Sequence, residues 1–251
     1  MLLENKTAVI YGAGGVLGGA VARAFAREHA YVFLAGRALA TLDTVAQQIA
    51  DAGGVAETAE VDALDERAVR AHADDVAAWT GGIDISINTI GLPHVQGVPL
   101  VELSPEDFTG PMLGYTMTQF LTARAAAHHM ISQRSGVILT LSGVTTDPPD
   151  GYRGGLGVAC GAIQALSRQL SEELGQFGIR VACLRPKMIS YTPALGPEQR
   201  MAGSLSGFGE PSTPADIADA IAFLASDQTA PMVGAIANLT CGTPVRWTSS
   251  S

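Results

Sequence analysis

The chain has 251 residues, of which 47% are hydrophobic and 16% charged, with a formal net charge of −9. That composition excludes a disordered polymer and suits a single α/β unit with a sizeable core. The acidic balance argues against nucleic acid or an anionic membrane as a main partner, because both are held by basic faces.

The first six residues lack the basic region and apolar core of a signal peptide, and no apolar run is long enough to span a bilayer. The three cysteines, Cys160, Cys183 and Cys241, are far apart and form no C-x-x-C, which fits a reducing cytoplasm better than a disulfide framework or a zinc site. A short apolar run then leads into Gly12, Gly14, Gly15, Gly18 and Gly19, and an alanine-rich helix follows. Such a turn brings backbone N–H groups close to a phosphate at the positive end of a helix, so strand, glycine turn and helix together favour dinucleotide binding.

Strand-like runs recur at 8–11, 31–35, 56–61, 83–88, 137–141, 180–184 and 235–239. Several are continuously apolar, as parallel strands buried on both faces are. Between them lie helical patterns, such as Val16, Ala20, Ala24 with Phe25, and Ile163, Leu166, Leu170, Leu174. The alternation predicts an α/β fold, a doubly wound parallel seven-stranded sheet with helices on both faces. Ser104-Pro105-Glu106-Asp107 and Thr213-Pro214-Ala215-Asp216 read as helix starts, and Gly178 as a helix stop. A Gly-, Ser- and Pro-rich stretch at about 190–212 reads as a substrate loop, and 248–251 as a frayed tail after a single domain over 1–247.

In these features the chain resembles the short-chain dehydrogenase/reductase family over nearly its whole length, which implies a Rossmann fold and a nicotinamide dinucleotide. The family turn is T-G-x-x-x-G-x-G; here Gly12 and Gly18 match, Tyr11 replaces the threonine, Val16 replaces the middle glycine, and Gly15 stands one place earlier. After the second strand, Gly36 occupies the place of the acid that binds both ribose hydroxyls in NAD-specific members, and Arg37 follows it. A guanidinium there clamps a 2′-phosphate, so NADP(H) is expected over NAD(H). The resemblance makes Asp62, with Ala63, the adenine contact. Asn88-Thr89-Ile90-Gly91 corresponds to the family's N-N-A-G, and Pro186 to the proline beside the nicotinamide. The expected cofactor set is therefore Gly12, Gly14, Gly15, Leu17, Gly18, Arg37, Asp62, Ala63, Asn88, Ile90, Gly91 and Pro186.

The family reduces carbonyls with an asparagine, a serine and a Y-x-x-x-K pair, because the alkoxide left by hydride must be protonated. Counting back from Gly178-Ile179-Arg180-Val181, the lysine position is Cys160 and the tyrosine position Leu156. The serine position is Gly143, beside Ser142, and the asparagine position is Tyr115. All four are substituted. Replacement groups are Tyr115, expected to face the cleft, Tyr152 in the loop before the catalytic helix, and Lys187 beside the nicotinamide; each also has an ordinary structural explanation. His94 lies near the rim. His128 and His129, adjacent on a helix, point about 100° apart and do not share a metal.

Three readings stay open at this point: an oxidoreductase with a rebuilt proton donor, a cofactor-binding pseudoenzyme, and a non-redox lyase or isomerase. The resemblance also implies a homodimer or homotetramer through long helices at 104–132 and 157–177, with Ala125, Ala126, Ala127, Leu166 and Leu170 on close-packing faces.

Overall fold

Parallel pairing joins seven strands into one sheet in the order β3-β2-β1-β4-β5-β6-β7. The computed structural model of the chain describes residues 1–143, 153–186 and 213–239. Tyr152, Lys187, the expected substrate loop and the carboxyl-terminal tail lie outside these residues. The strands are β1 Thr7–Tyr11, β2 Tyr31–Gly36, β3 Val55–Glu60, β4 Ile85–Asn88, β5 Gly136–Leu141, β6 Ile179–Pro186 and β7 Ile236–Leu239. The helices are α1 Val16–Arg27, α2 Leu39–Asp51, α3 Glu66–Thr80, α4 Pro105–Gln133, α5 Gly154–Leu174 and α6 Pro214–Ala225. All seven predicted strands are present, with ends shifted by a residue or two.

The fourth begins at Ile85, later than the apolar pattern suggests. Its lead-in residue Ile83 pairs its backbone with the Gln133 side chain, donating to Oε1 and accepting from Nε2, each at 2.9 Å. The glutamine amide at the end of α4 thus stands in for a strand neighbour.

Alternating side chains send each strand's residues to two cores. Ala8 and Ile10 of β1 join α1, α2 and α6 on one face, while Val9 and Tyr11 join α3 and α4 on the other. β3 is the edge strand, and its Glu57, Thr58 and Glu60 are only partly covered or exposed. No described helix is long and apolar enough to cross a membrane.

The predicted helix starts are realised. Ser104 Oγ accepts from Asp107 N at 3.0 Å, and Thr213 and Asp216 form a reciprocal capping box. Gly178 takes the left-handed conformation, with φ 73°, after the 3-10 turn that extends α5. Two sequence expectations are corrected. Val16 is not part of the buried stripe of α1, which runs through Leu17, Val21, Ala24 and Phe25; it is exposed in the first turn. Ala125, Ala126 and Ala127 do not form an outer contact face, because they are buried in the chain's own core between the sheet and α3.

One buried titratable group couples this core to pH. The His72 ring on α3 meets the fully buried Tyr11 ring edge-on at 5.9 Å, and its Nδ1 is buried without a partner among the described residues. Burial pulls the imidazole pKa down to about 4, opposed in part by Asp75. Below the ordinary histidine value of about 6.5 the unfolded chain takes up a proton that the native state refuses, so stability falls as pH drops from there to about 4. Above that window the group has no effect. His72→Leu is expected to lose about 3 kcal/mol less stability than wild type between pH 7 and pH 4, measured by urea unfolding at both pH values.

Candidate active site

The strand order reverses between β1 and β4, and in open α/β sheets ligands bind outside the carboxyl ends of the strands at such a point. The glycine turn sits there. Gly12 has φ +82° and its N–H donates to Ala35 O at 2.8 Å. A Cβ on Gly12 would stand 2.9 Å from Ile90 N, and one on Gly18 would stand 2.2 Å from Gly12 O and 2.7 Å from Thr89 Oγ1. Missing side chains at 12 and 18 therefore let α1 begin directly against the ends of β1 and β4. Thr89 fastens the junction, donating from both N and Oγ1 to Tyr11 O at 2.9 Å.

The start of α1 is open. Unlike α3, α4 and α6, capped by Asp65, Ser104 and Thr213, it has no side-chain cap and no acid in its first turn. Its first-turn N–H groups, those of Val16 and Leu17 among them, are the arrangement that takes an anion. Leu17 and Ala63 have buried side chains, so only their backbones are available to a ligand.

The remaining expected cofactor residues fall along the same edge. Arg37 is exposed directly after β2, with no ion-pair partner among the described residues. Asp62 is exposed after β3 and accepts from Leu64 N at 3.0 Å. Asn88 ends β4 as a buried side chain: Oδ1 accepts from Ile90 N at 2.9 Å and Nδ2 donates to Thr122 Oγ1 at 3.2 Å, which sets the course of Ile90 and Gly91. Pro186 ends β6 beside Leu239 of β7. In spatial order the edge thus runs Asp62, Arg37, glycine turn, Asn88 and then the end of β5, about 19 Å at roughly 4.8 Å per strand. These residues fit an extended dinucleotide with its phosphates at α1 and its two ends on opposite sides of the switch point.

The end of β5 is the corner where proton chemistry is expected, and its hydroxyls are turned inward. Ser142 Oγ donates to Cys160 O at 2.9 Å and accepts from Gln164 Nε2 at 3.2 Å. The Gly143 N–H donates to Cys160 Sγ at 3.2 Å, so residues 143 and 160 face each other across the start of α5, as the spacing implies. Tyr115 Oη accepts from Leu92 N at 2.8 Å and donates its proton to Leu92 O at 2.9 Å. His94 Nδ1 meets the same carbonyl at 2.8 Å, with its ring edge-on to Tyr115. Burial raises the Tyr115 pKa, opposed in part by the Leu92 hydrogen bond. A half-buried phenol tied at both donor and acceptor is a tether for the 92–94 segment more than a proton source.

Sequence reasoning missed two groups here. Thr89 lies inside the recognised Asn88–Gly91 motif but was given no role. Arg153, which immediately precedes α5, carries no motif signal and reaches the Gly143 corner only through the fold. Among the described residues no group of acids, histidines and cysteines is arranged to hold a metal, and His129 pairs with Asp74 at 2.9 Å. The cavities of about 580 Å³ between α1 and α2 and 350 Å³ beside Asp84 and Arg180 open at the amino edge of the sheet, opposite the glycine turn.

Comparison with known proteins agrees with this geometry. Residues 12–243 match a family model described as enoyl-(acyl carrier protein) reductase. The meso-2,3-butanediol dehydrogenase of Serratia marcescens is 30% identical over 241 residues, covering 94% of this chain and 93% of that protein. The 7alpha-hydroxysteroid dehydrogenase of Clostridium sardiniense is 28% identical, covering 93% and 91%. Among solved structures, a dehydrogenase/reductase from Sinorhizobium meliloti 1021 is 27% identical with TM-score 0.86 over 96% of both chains. A hydroxysteroid dehydrogenase from Escherichia coli is 25% identical with TM-score 0.83 over 98% of both.

Gly18→Ala is expected to cost about 1–3 kcal/mol, because the new methyl meets backbone at Gly12. Urea denaturation with an unchanged far-ultraviolet spectrum at zero denaturant checks it.

Proposed function

The chain belongs to the short-chain dehydrogenase/reductase family of oxidoreductases, and on that premise we propose that it uses NADP(H) and works without the family's tyrosine–lysine pair. The observation that carries the cofactor choice is Arg37, exposed after β2 beside Gly36, where a carboxylate would repel a 2′-phosphate and a guanidinium attracts it. The glycine turn and the open start of α1 would hold the pyrophosphate, Asp62 the adenine, and the Asn88–Gly91 segment and Pro186 the nicotinamide end. When bound, the cofactor supplies hydride.

The absent pair changes how the developing oxygen charge is met. Losing a positioned general acid costs roughly 10²–10⁴-fold, while proximity to the hydride donor is retained. Substrates that need little help at oxygen, such as activated carbonyls or conjugated C=C bonds, suit this site. Tyr115→Phe is expected to change the reduction rate less than about tenfold, because the phenol proton already serves Leu92. The same variant should lose about 1–2 kcal/mol of stability in urea unfolding.

A second reading, a cofactor-binding protein without turnover, draws on the same corner, where Gly143, Leu156 and Cys160 bring no acid. A panel of ketones, aldehydes and enones decides between them: NADPH consumption followed by its near-ultraviolet absorbance supports turnover, and none with any member supports the second reading. The cofactor choice has its own test. Arg37→Asp is expected to weaken NADPH binding roughly ten- to a hundredfold and leave NADH within about threefold, read by fluorescence titration.

The same reading makes the protein a cytoplasmic homodimer or homotetramer. Buried, unpaired Cys160 and Cys183 suit a reducing compartment. With Ala125–Ala127 committed internally, the exposed apolar positions on α4 and α5 are Leu113, Met117 and Val158, and they would meet a second copy. Light scattering after gel filtration should give a multiple of the chain mass, falling toward the monomer in Met117→Asp.

A further inference from the structure

The cavity of about 580 Å³ at the amino edge of the sheet is formed where α1 and α2 end side by side. α1 stops at Glu28 and α2 at Ala52, and each chain then turns through a residue of positive φ, His29 at 68° and Gly53 at 82°. Carbonyls at helix ends oppose an anion, but here several are already taken by backbone N–H groups. His29 N donates to Ala26 O and Ala30 N to Phe25 O, each at 3.0 Å; Gly53 N donates to Ala50 O and Gly54 N to Ile49 O, each at 2.9 Å.

The floor is apolar: Ala26, Ala30 and Ile49 are buried and belong to the core beneath. Gly54 lies directly on it, since a Cβ there would stand 2.8 Å from Ile49 Cγ2 and 3.1 Å from Ala26 Cβ. A Cβ on Gly53 would have nothing within 4 Å, so the mouth is unobstructed at that point. Among the described residues three non-glycine residues have positive φ, and two of them, Asn5 at 62° and His29, line this cavity. Glycine is the ordinary residue in the turn after a helix, as Gly53 is after α2; α1 carries an imidazole in the same place. Backbone of this kind gathers at binding sites.

The charge of the lining runs against that of the chain. With a net charge of −9 overall, the described residues bring two arginines and a histidine to this cavity and no carboxylate. Nearby acids serve other groups: Glu28 Oε2 accepts from Leu2 N and Asp51 Oδ1 from Gln47 Nε2, both at 2.8 Å, and Asp219 pairs with Arg27. Arg23 is different. Its Nη1 donates to Gln48 Oε1 at 2.9 Å, a neutral partner that takes one of five N–H donors and none of the charge. Arg27 is neutralised by Asp219, whereas no described carboxylate pairs with Arg23.

We propose that this cavity is a second ligand site, for a small amphipathic carboxylate whose apolar body lies on Ala26, Ala30 and Ile49 and whose head is held by Arg23 at the rim. The chemistry fits at both ends. A planar guanidinium meets a carboxylate with two parallel charge-assisted hydrogen bonds, and an apolar cavity of this size with a few polar groups at its edge is what small organic ligands occupy. The site is separate from the redox reading above. α1 runs from one to the other, with its first turn at the glycine turn and its last at this cavity, roughly 18 Å away. A ligand here and a dinucleotide at the carboxyl edge do not compete for space.

The probe is 2-naphthoate, with 2-naphthylmethanol as its uncharged counterpart. Both are titrated by calorimetry into wild type, Arg23→Met and Ala52→Trp, with and without saturating NADPH. The two substituted residues are exposed, and an unchanged melting temperature verifies that the variants keep the fold. Wild type is expected to bind one naphthoate about tenfold tighter than the alcohol. Arg23→Met should bring naphthoate down to the affinity of the alcohol and leave the alcohol unchanged. Ala52→Trp, which fills the mouth, should weaken both by about tenfold or more, and NADPH should alter neither. Equal affinity of wild type for acid and alcohol overturns the proposal, as does an Arg23→Met variant that still prefers the acid. So does full naphthoate binding by Ala52→Trp, or displacement of naphthoate by NADPH, which puts the probe at the carboxyl edge. A failure of NADPH itself to bind counts against the redox reading and leaves this site standing on the two variants.

Discussion

The candidate site depends on the contact between Gly12 and Gly18. With 2.2 Å between Gly12 O and the point where a Cβ on Gly18 would stand, no other residue type fits without moving the helix. This closeness sets the first turn of α1 directly over the ends of β1 and β4. It is also what exposes the helix's N–H groups, since the turn supplies no side chain to satisfy them. Thr89 then ties the end of β4 to Tyr11 O, so the two strands flanking the switch point are held together by the same few atoms. The open helix start and the close packing here have one cause.

A contrast runs along the carboxyl edge of the sheet. The half from β3 to β4 has the character of a nucleotide site: exposed Arg37, exposed Asp62, an uncapped helix and an ordered Asn88–Gly91 segment. The half from β4 to β5 has side chains that look after one another. Ser142, Cys160 and Gln164 form a closed cluster, and Tyr115, His94 and Leu92 another. Each cluster satisfies polar groups that burial would otherwise penalise by about 1–3 kcal/mol apiece. The hydroxyls of Ser142 and Tyr115 are thereby engaged in hydrogen bonds within the protein.

The two cores differ as well. The face covered by α1, α2 and α6 holds the buried Arg180, which donates to the carbonyls of Leu224 and Ser226 at the end of α6, whereas the face covered by α3 and α4 contains His72 against Tyr11. Tyr11 occupies the strand position just before the glycine turn, and its hydroxyl pKa is pushed upward by burial. Its ring packs toward α3 and away from the ligand edge. The substitution that makes the glycine motif unusual is therefore accommodated inside the core, and the turn keeps its form.

The sequence by itself determined the sheet, because seven short apolar runs separated by helical periodicity admit few arrangements, and parallel strands buried on both faces need little more than such runs. It also determined the helix starts at Ser104 and Thr213, since a capping side chain acts within three residues of itself. The glycine turn was legible for the same local reason: its glycines, strand and helix are contiguous. Relations across the fold were not legible. That Ala125–Ala127 are interior, that Val16 is exposed, and that Gln133 completes the backbone of Ile83 follow from which helix packs on which face. The proton of Tyr115 goes to a carbonyl 23 residues away, a choice made by the path of the loop after β4. Arg153 meets Gly143 only because α5 docks on α4 through a glycine with no room for a methyl. Local chemistry was written in neighbouring residues, and the chemistry of the corner was decided by the packing of elements distant in the chain.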